Sequence, residues 1–422
     1  MKKPFERFDM AREPIRTKWY LKPVTKLLSW PDMIIHKPTI NRHGTEGLKP
    51  PYVLLCNHNA FLDFKVATQV IYPNRANYVV AIDGFIGREW LLRAVGCICK
   101  RKFTNDTVLV RQLKRVIENG DIAVVYPEAR YSLCGTTAVL PASLGKLCKM
   151  LGAPVATLIC HGHHVNSPFW NLKERKIHTE ADFTLQFTAE ELAAASVDEI
   201  NSRLVQAFQY DDFAWQKEKG IVTKLKNRAQ GLHKVLYRCP ACGTEFEMSS
   251  EGTRLKCDHC GKVWEMTELG ELRALDGKTE FSHIPDWYEW ERAEVRKEIE
   301  AGTYSSGVLP VHIDSLPNAK KFIHLGHGTL IHDMNGFLVE CEDEDGDRYT
   351  QQWPVPSLYS VHIEYEYLGK YGDCVDLNTL KDTWYIYPEA EKFSVTKMAL
   401  ATEELYFAYR RSIGRPCLPG LA

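Results

Sequence analysis

The sequence lacks any run of about 18 consecutive apolar residues, so no transmembrane helix is expected. Residues 1–7 lack the apolar stretch of a secretory signal peptide. A net charge of −1 leaves no global excess of one sign that would attract nucleic acid or a membrane. Repeats and low-complexity segments are also missing. With 422 residues, 45% of them apolar, the chain is expected to form two or three globular domains.

Thirteen cysteines are scattered along the chain, and four of them form two Cys-x-x-Cys pairs. An odd count without a secretory signal favours reduced thiols in a reducing cytoplasm. The two pairs are separated by 14 residues and each is followed by glycine. This spacing predicts a structural Zn²⁺ site in a zinc ribbon over residues 236–268, with four ligands: Cys239, Cys242, Cys257 and Cys260.

A redox role for these cysteines is the weaker alternative, because two pairs in one short hairpin favour a closed metal site. With four sulfurs present, His259 is not expected to be a ligand. A closed site leaves no position for substrate, so its expected role is to fold a unit too small for its own core. The acidic residues around the ribbon argue against nucleic acid as a partner.

Residues 46–235 have the pattern of an α/β domain with connecting helices. Apolar runs at 52–56, 78–82, 122–126 and 155–160 are typical of buried strands. Helical stretches such as 106–119 separate them. The alternation predicts a mostly parallel sheet flanked by helices.

The N-terminal segment, residues 1–45, is locally basic and rich in aromatic side chains. Two interpretations stand side by side. Cations interleaved with tryptophan suit a helix at a bilayer interface. A terminal helix that packs its aromatic face on the first domain is the alternative.

Residues 269–309 are expected to be a helical linker, with a helix over 286–301. Residues 310–422 change to β-type patterning, with alternation over 360–367 and a hairpin signal at Asp345-Gly346. A final helix is expected from about Ser394. Strands followed by one helix resemble a pleckstrin-homology-like module. The acidic residues near the hairpin do not have EF-hand spacing, so no calcium is predicted.

His58 and Asp63 follow the first predicted strand and are five residues apart. On one helix this spacing would place them roughly 140° apart. They can meet only if His58 lies in the turn before the helix and Asp63 in its first turns. A carboxylate that holds a neutral imidazole in one tautomer is a general base for an alcohol.

Further polar groups also follow strands, where ligands of open α/β sheets bind. They are the basic run Lys100-Arg101-Lys102 and the turn Tyr126-Pro127-Glu128-Ala129-Arg130. Ala153-Pro154-Val155 then opens another strand. His161, His163 and His164 come after that strand and are expected to line the site rather than to bind metal.

In this order, the four segments resemble the four motifs of the PlsC-type glycerolipid acyltransferases, the lysophosphatidic acid and glycerol-3-phosphate acyltransferase superfamily. The resemblance covers about residues 50–190. It implies that His58 deprotonates a glycerol hydroxyl and that Asp63 orients His58. It also implies that Arg101 holds the acceptor phosphate, that Glu128 contacts acceptor hydroxyls or orders its turn, and that Arg130 assists with the phosphate.

One departure from the family pattern concerns the third motif. Ala129 stands where the family has a glycine, which adopts positive φ at low cost, and Arg130 comes one position early. The implied activity is transfer of a fatty acyl group from acyl-CoA or acyl-carrier protein to a phosphorylated glycerol. The first choice of acceptor is 1-acylglycerol-3-phosphate, at the inner face of a membrane. The alternatives are an inactive adaptor that binds lipid or protein, and transfer to a non-lipid acceptor.

Overall fold

The computed structural model describes residues 6–342 and 345–415. Three sheets follow one another along the chain. The first region begins with a helix and then alternates strands and helices: α1 (Leu21–His36), β1 (Thr39–His43), β2 (Tyr52–Cys56), α2 (Leu62–Ile71), β3 (Ala76–Ala81), α3 (Glu89–Ala94), β4 (Ile98–Lys100), α4 (Thr107–Glu118), β5 (Ile122–Val125), α5 (Leu144–Leu151), β6 (Val155–His161), α6 (His163–Asn166), β7 (Glu180–Phe187), α7 (Ala189–Ala194), α8 (Val197–Ala207) and α9 (Asp212–Glu218).

The seven strands of this region form one sheet in the order β1-β7-β6-β2-β5-β3-β4. All neighbouring pairs are parallel except β6 and β7. The predicted α/β class with a mostly parallel sheet is therefore confirmed. Strand β2 lies at the centre with all five residues buried, which is why its sequence is an uninterrupted apolar run.

Helix α4 is an example of how the local sequence determines where a helix begins and ends. The Asp106 carboxylate accepts hydrogen bonds from the backbone N–H groups of Val108 and Leu109, which caps the first turn. Gly120 follows the helix at φ +76°, a conformation that costs glycine little. The helix therefore has the extent that the sequence predicted.

The second region is a four-stranded antiparallel sheet in the order β11-β10-β9-β8. The first pair of cysteines precedes β8, and the second pair lies at the end of β9 and in the turn that follows it. Its strands are β8 (Met248–Glu251), β9 (Arg254–Cys257), β10 (Val263–Met266) and β11 (Leu272–Ala274). Helix α10 (Ile284–Glu300) then leads to the C-terminal region, close to the predicted range of 286–301.

The C-terminal region has seven antiparallel strands in the order β15-β14-β13-β12-β18-β17-β16, followed by one helix. The elements are β12 (Ser305–Ser315), β13 (Ile323–Asp333), β14 (Gly336–Glu342), β15 (Arg348–Pro354), β16 (His362–Glu364), β17 (Cys374–Asn378), β18 (Thr383–Pro388) and α11 (Val395–Ser412). The β-rich module with a terminal helix is thus confirmed, while its likeness to pleckstrin-homology domains stays a prediction.

One strand is shorter than expected. Alternation predicted a strand over 360–367, but β16 spans only His362–Glu364. Glu366 and Leu368 have φ of +48° and +54°, so the chain turns away directly after the strand. The Asp345-Gly346 hairpin is confirmed, because β14 and β15 pair on either side of it.

The C-terminal module packs directly on the α/β domain. Arg101, which is buried, donates hydrogen bonds to the carbonyls of Leu316, Pro317 and Lys381 and to the hydroxyl of Thr383. Buried apolar side chains from all three regions also form one continuous cluster. In the described part of the chain, no helix combines the length and apolar character that crossing a bilayer requires.

Glu403 on α11 is the centre of a second buried contact between these regions. One of its oxygens accepts from Arg130 at 2.7 Å and from the Ser360 hydroxyl at 2.6 Å, and the other from Arg292 at 2.8 Å. Burial opposes ionisation of Glu403. The charges of Arg130 and Arg292 outweigh this effect and hold the pKa of the carboxyl below its usual value.

Replacing Glu403 with alanine leaves the buried guanidinium of Arg130 and the mostly buried one of Arg292 without this partner. We expect Glu403→Ala to lower the free energy of unfolding by about 3–5 kcal/mol, as measured by urea titration. The matched control is Glu289→Ala, which removes a mostly exposed carboxylate from Arg292 and should cost at most about 1 kcal/mol. Equal effects of the two substitutions would contradict this account.

Candidate active site

His58 lies in the turn between β2 and α2, at the carboxyl end of the central strand. The preceding residue fixes this turn: the Asn57 amide donates to the Cys160 carbonyl at 2.9 Å and accepts from the Cys160 N–H at 2.8 Å. The end of β2 is thereby clamped to β6. These hydrogen bonds thus fix the position of the backbone next to His58.

Asp63 occupies the first turn of α2, and its side chain is fully buried. Its Oδ2 accepts from the backbone N–H groups of Asn59 at 2.6 Å and Ala60 at 3.0 Å, and lies 3.2 Å from His58 Nδ1. The structure therefore brings His58 and Asp63 together in the turn-then-helix arrangement that their spacing required. Because a carboxylate only accepts, His58 Nδ1 is the donor of this hydrogen bond.

The second oxygen of Asp63 faces His163, the first residue of α6, with a distance of 2.5 Å between Oδ1 and Nδ1. Burial opposes ionisation of Asp63. Hydrogen bonds with His163 and His58 outweigh it and keep the pKa of the carboxyl below its usual value. One buried, ionised carboxylate is therefore shared by two imidazoles.

The other two histidines of the 161–164 segment have different surroundings. His161 Nε2 lies 3.1 Å from Asp182, and the buried ring of His164 packs at 5.0 Å from Trp170. Burial lowers the pKa of His164 to about 3, so this ring is neutral. Of the three histidines, only His163 contacts Asp63. Nothing in the local sequence indicates this contact.

Aromatic rings surround the His58 imidazole, whose side chain is 25% exposed. The ring centroids of Tyr126 and Tyr131 lie 4.5 Å and 4.4 Å away. Tyr131 contacts Phe169, and Phe169 contacts His362 on β16. The C-terminal module therefore reaches the surroundings of His58 through a chain of rings.

Glu128 is buried beneath the same turn. Its Oε1 accepts from the His58 N–H at 3.0 Å, and its Oε2 from the Ala138 N–H at 2.7 Å and the Tyr210 hydroxyl at 3.1 Å. Burial raises the pKa of Glu128 to about 8, although these donors act in the opposite direction. Of the two roles that the resemblance offered, the contacts match ordering of the turn.

The departure at Ala129 has a visible consequence. This residue adopts φ +56°, the left-handed conformation that a glycine takes at lower cost. The turn thus keeps the backbone shape expected of a glycine there despite the substitution. After it, Arg130 points to Glu403 of the C-terminal module.

The predicted phosphate ligands are bonded to other groups of the protein. The hydrogen bonds of Arg101 and Arg130 go to the C-terminal module, as described above. Lys102 lies mostly buried near three carboxylates: its Nζ is 3.4 Å from Asp83 and 3.9 Å from Asp376. Burial acts to lower the pKa of Lys102, but the charges of Asp83, Asp376 and Glu364 outweigh it and raise the pKa. Arg101, Arg130 and Lys102 thus all have hydrogen-bond or ion-pair partners within the protein.

The four cysteines predicted as metal ligands come together, two from the turn at 239–242 and two from the end of β9 and the turn after it. The Cys239 and Cys260 sulfurs are 3.8 Å apart, as are those of Cys242 and Cys257, and all four lie within 4.8 Å of one another. Zinc at about 2.3 Å from four tetrahedral sulfurs requires sulfur separations of about 3.8 Å. The four residues therefore fit a tetrahedral metal ion and are too far apart for disulfides.

Comparison with protein families adds a finding about the region that contains this site. Residues 39–161 match the family model named Acyltransferase. This segment is an acyltransferase domain. It contains His58, Asp63, Arg101, Glu128 and Arg130.

Among solved structures, the chain is similar to the 1-acyl-sn-glycerophosphate (LPA) acyltransferase PlsC from Thermotoga maritima. The sequence identity is 15%, and the match covers 44% of this chain and 79% of that one with a TM-score of 0.34. No significant match is found among curated proteins. The family assignment therefore rests on residues 39–161, and the ribbon and C-terminal module lie outside it.

Proposed function

We propose that the protein transfers a fatty acyl group from a thioester donor, acyl-CoA or acyl-carrier protein, to a hydroxyl of a phosphorylated glycerol in phospholipid synthesis. The first choice of acceptor is 1-acylglycerol-3-phosphate, and glycerol 3-phosphate is the second. The observation that carries this proposal is the His58–Asp63 pair, positioned at the carboxyl end of β2 inside a segment that matches the acyltransferase family.

In the proposed reaction, His58 Nε2 takes the proton of the acceptor hydroxyl as its oxygen attacks the thioester carbonyl carbon. The buried carboxylate of Asp63 stabilises the imidazolium that forms. The tetrahedral intermediate then expels the donor sulfur, and the proton on His58 passes to that thiolate. The new bond is an oxygen ester, the bond that breaks is carbon–sulfur, and no covalent enzyme intermediate is needed.

His163 enters this proposal as a positioning residue. It holds Oδ1 of Asp63 while Oδ2 faces His58, so it restricts rotation of the carboxylate. Orientation of a base through a second group is the usual requirement for general-base catalysis.

A specific observation favours a second candidate, transfer to an acceptor without a phosphate. The guanidinium groups of Arg101 and Arg130 are buried and bonded to the C-terminal module, so a phosphate that uses them must displace those contacts. A panel of acceptors with and without phosphate separates the two candidates. If no acceptor is acylated, the third alternative, an inactive adaptor that binds lipid or protein, applies.

We further propose that the protein associates peripherally with the cytoplasmic face of a membrane through α1. This helix packs on α2, with Lys65 bonded to Asp32 at 2.7 Å. Even so, it leaves a set of large apolar side chains 51–70% exposed: Leu27, Leu28, Trp30 and Ile34. Trp19, which is 71% exposed, lies just before the helix. Lysines of the same helix flank them. Of the two readings of the N-terminal segment, this exposure favours the bilayer interface over internal packing.

The proposed membrane surface continues towards the site. Phe61 is 64% exposed and lies between His58 and Asp63 in sequence, at the start of α2. Lys65 lies over its ring at 5.3 Å. A lipid acceptor resting against α1 would therefore meet Phe61 next to the turn that carries His58.

We also propose that the four-cysteine cluster holds a structural Zn²⁺ ion. The ion would hold β8, β9 and β10 in place and supply no chemistry to the reaction. His259 does not belong to the group of converging ligand atoms.

Catalysis by His58 is tested with His58→Ala, which removes the proposed base from a partly exposed position. We expect thiol release from acyl-CoA with lysophosphatidic acid to fall by about 10²–10⁴-fold while the far-UV circular dichroism spectrum is unchanged. The control is His178→Ala, which removes an exposed histidine and should keep full activity. A folded His58→Ala protein with unimpaired transfer would disprove the mechanism.

Membrane binding is tested with the double substitution Leu27→Ser and Leu28→Ser. Two leucine side chains contribute roughly 3 kcal/mol or more when transferred out of water, so binding to phosphatidylglycerol vesicles should weaken at least tenfold in a flotation assay. Leu380→Ser, which changes a leucine of the C-terminal module that is 58% exposed, serves as the control. Unchanged flotation of the double variant would exclude α1 as the anchor.

The ribbon site is tested with the double substitution Cys242→Ser and Cys260→Ser, which alters the two exposed members of the cluster. We expect the variant to bind one zinc ion fewer per chain by elemental analysis, and limited proteolysis to cleave within 236–268. His259→Ala should retain the ion. Retention of zinc by the cysteine variant would show that the sulfurs are not the ligands.

A further inference from the structure

Three histidines and an aspartate converge on the C-terminal sheet, far along the chain from the acyltransferase domain. His312 and Asp314 lie on β12, and His324 and His327 lie on β13. Across the two strands His312 pairs with His327, and Asp314 pairs with His324. Neither the family match nor the ribbon covers these residues.

An irregularity in the strand pairing is what brings the histidines together. In a regular strand, residues three apart point to opposite faces, so His324 and His327 would be separated. The register shifts between Ile313 and Asp314, where Leu325 is an additional residue on β13 without a partner on β12. The bulge therefore places all four side chains on one face of the sheet.

The distances between the rings are short. The His312 ring centroid lies 4.4 Å from that of His324 and 5.3 Å from that of His327, and the latter two are 5.6 Å apart. One nitrogen of each ring lies within 4.8 Å of the others. Nitrogens at about 2.0–2.1 Å from a shared tetrahedral ion lie about 3.4 Å apart, so binding requires rotation of these side chains towards one another.

Each ring also faces a carboxylate on one nitrogen. His312 Nε2 lies 2.9 Å and His324 Nδ1 3.4 Å from Asp314 Oδ1, and His327 Nδ1 lies 3.4 Å from Glu389 Oε2. Among the described residues, the remaining nitrogen of each ring has no hydrogen-bond partner. A carboxylate on one nitrogen and a free electron pair on the other is the arrangement that orients metal-binding histidines.

The charged groups around the three histidines also favour a bound cation. In the described part of the chain, no lysine or arginine forms an ion pair with Asp314 or Glu389. Three imidazoles therefore lie beside two carboxylates that no lysine or arginine of the described residues pairs with. Imidazole ligands select borderline transition metals such as zinc rather than calcium or magnesium.

We propose that His312, His324 and His327 bind a divalent transition-metal ion of the zinc class, with Asp314 and Glu389 orienting the imidazoles. The ion would link β12 to β13 at the bulge. Unlike four cysteines, three imidazoles leave a coordination position open to solvent, and His327 is 64% exposed. The Tyr371 ring, 3.8 Å from that of His312, covers one side of the cluster.

The test compares the full-length protein with the double variant His324→Ala and His327→Ala, after zinc loading and passage over a chelating resin. We expect the wild type to retain one zinc ion more per chain than the variant. His43→Ala, at a similarly exposed histidine, should match the wild type. Equal zinc contents of the wild type and the double variant, or a difference that needs millimolar zinc to appear, would overturn the proposal.

Cobalt distinguishes this site from the ribbon, because thiolate ligands give a charge-transfer band that imidazoles lack. Removal of the two histidines should abolish part of the visible cobalt spectrum and leave the thiolate band unchanged. A parallel melting experiment checks folding: without metal the two proteins should melt alike, and zinc should raise the melting temperature of the wild type more. An unchanged cobalt spectrum would also overturn the proposal.

Discussion

The buried carboxylate of Asp63 is the group on which the candidate active site depends. It caps the turn after β2, faces His58 with one oxygen and His163 with the other, and remains ionised although it is removed from water. A charge in such a position is stable only when donors satisfy it fully. The same contacts that stabilise the ionised carboxylate therefore fix the tautomer of His58. The stability of the buried charge and the proposed chemistry of His58 thus depend on one set of hydrogen bonds.

The C-terminal module also contacts residues of the candidate active site. It accepts the hydrogen bonds of Arg101, neutralises Arg130 with Glu403, and approaches His58 through a chain of aromatic rings that ends at His362. The arginines that the family resemblance assigns to an acceptor phosphate thus serve here in a buried contact between modules. A ligand that binds those arginines would therefore compete with a contact between the modules.

Much of this arrangement could be predicted from sequence because local patterns determine it. The buried apolar runs located the strands, Asp106 and Gly120 bounded α4, and the spacing of His58 and Asp63 allowed only one geometry of contact. The contact of His163 with Asp63 joins residues 100 positions apart, and those of Arg101 reach more than 200 positions along the chain. Sequence shows the charge of such residues but not their partners. The bulge that gathers His324 and His327 likewise depends on strand register, which alternation alone does not reveal.

Nitrogen NMR of the His58 ring tests the central claim most directly, since that claim is that Asp63 holds the imidazole with Nδ1 protonated and Nε2 available as a base. With histidine labelled with ¹⁵N and the His58 signals assigned by substitution, the account predicts the Nδ1–H tautomer in the wild type. It also predicts loss of that preference in a folded Asp63→Asn variant. An Nε2–H tautomer in the wild type, or the same tautomer after substitution of Asp63, would contradict it.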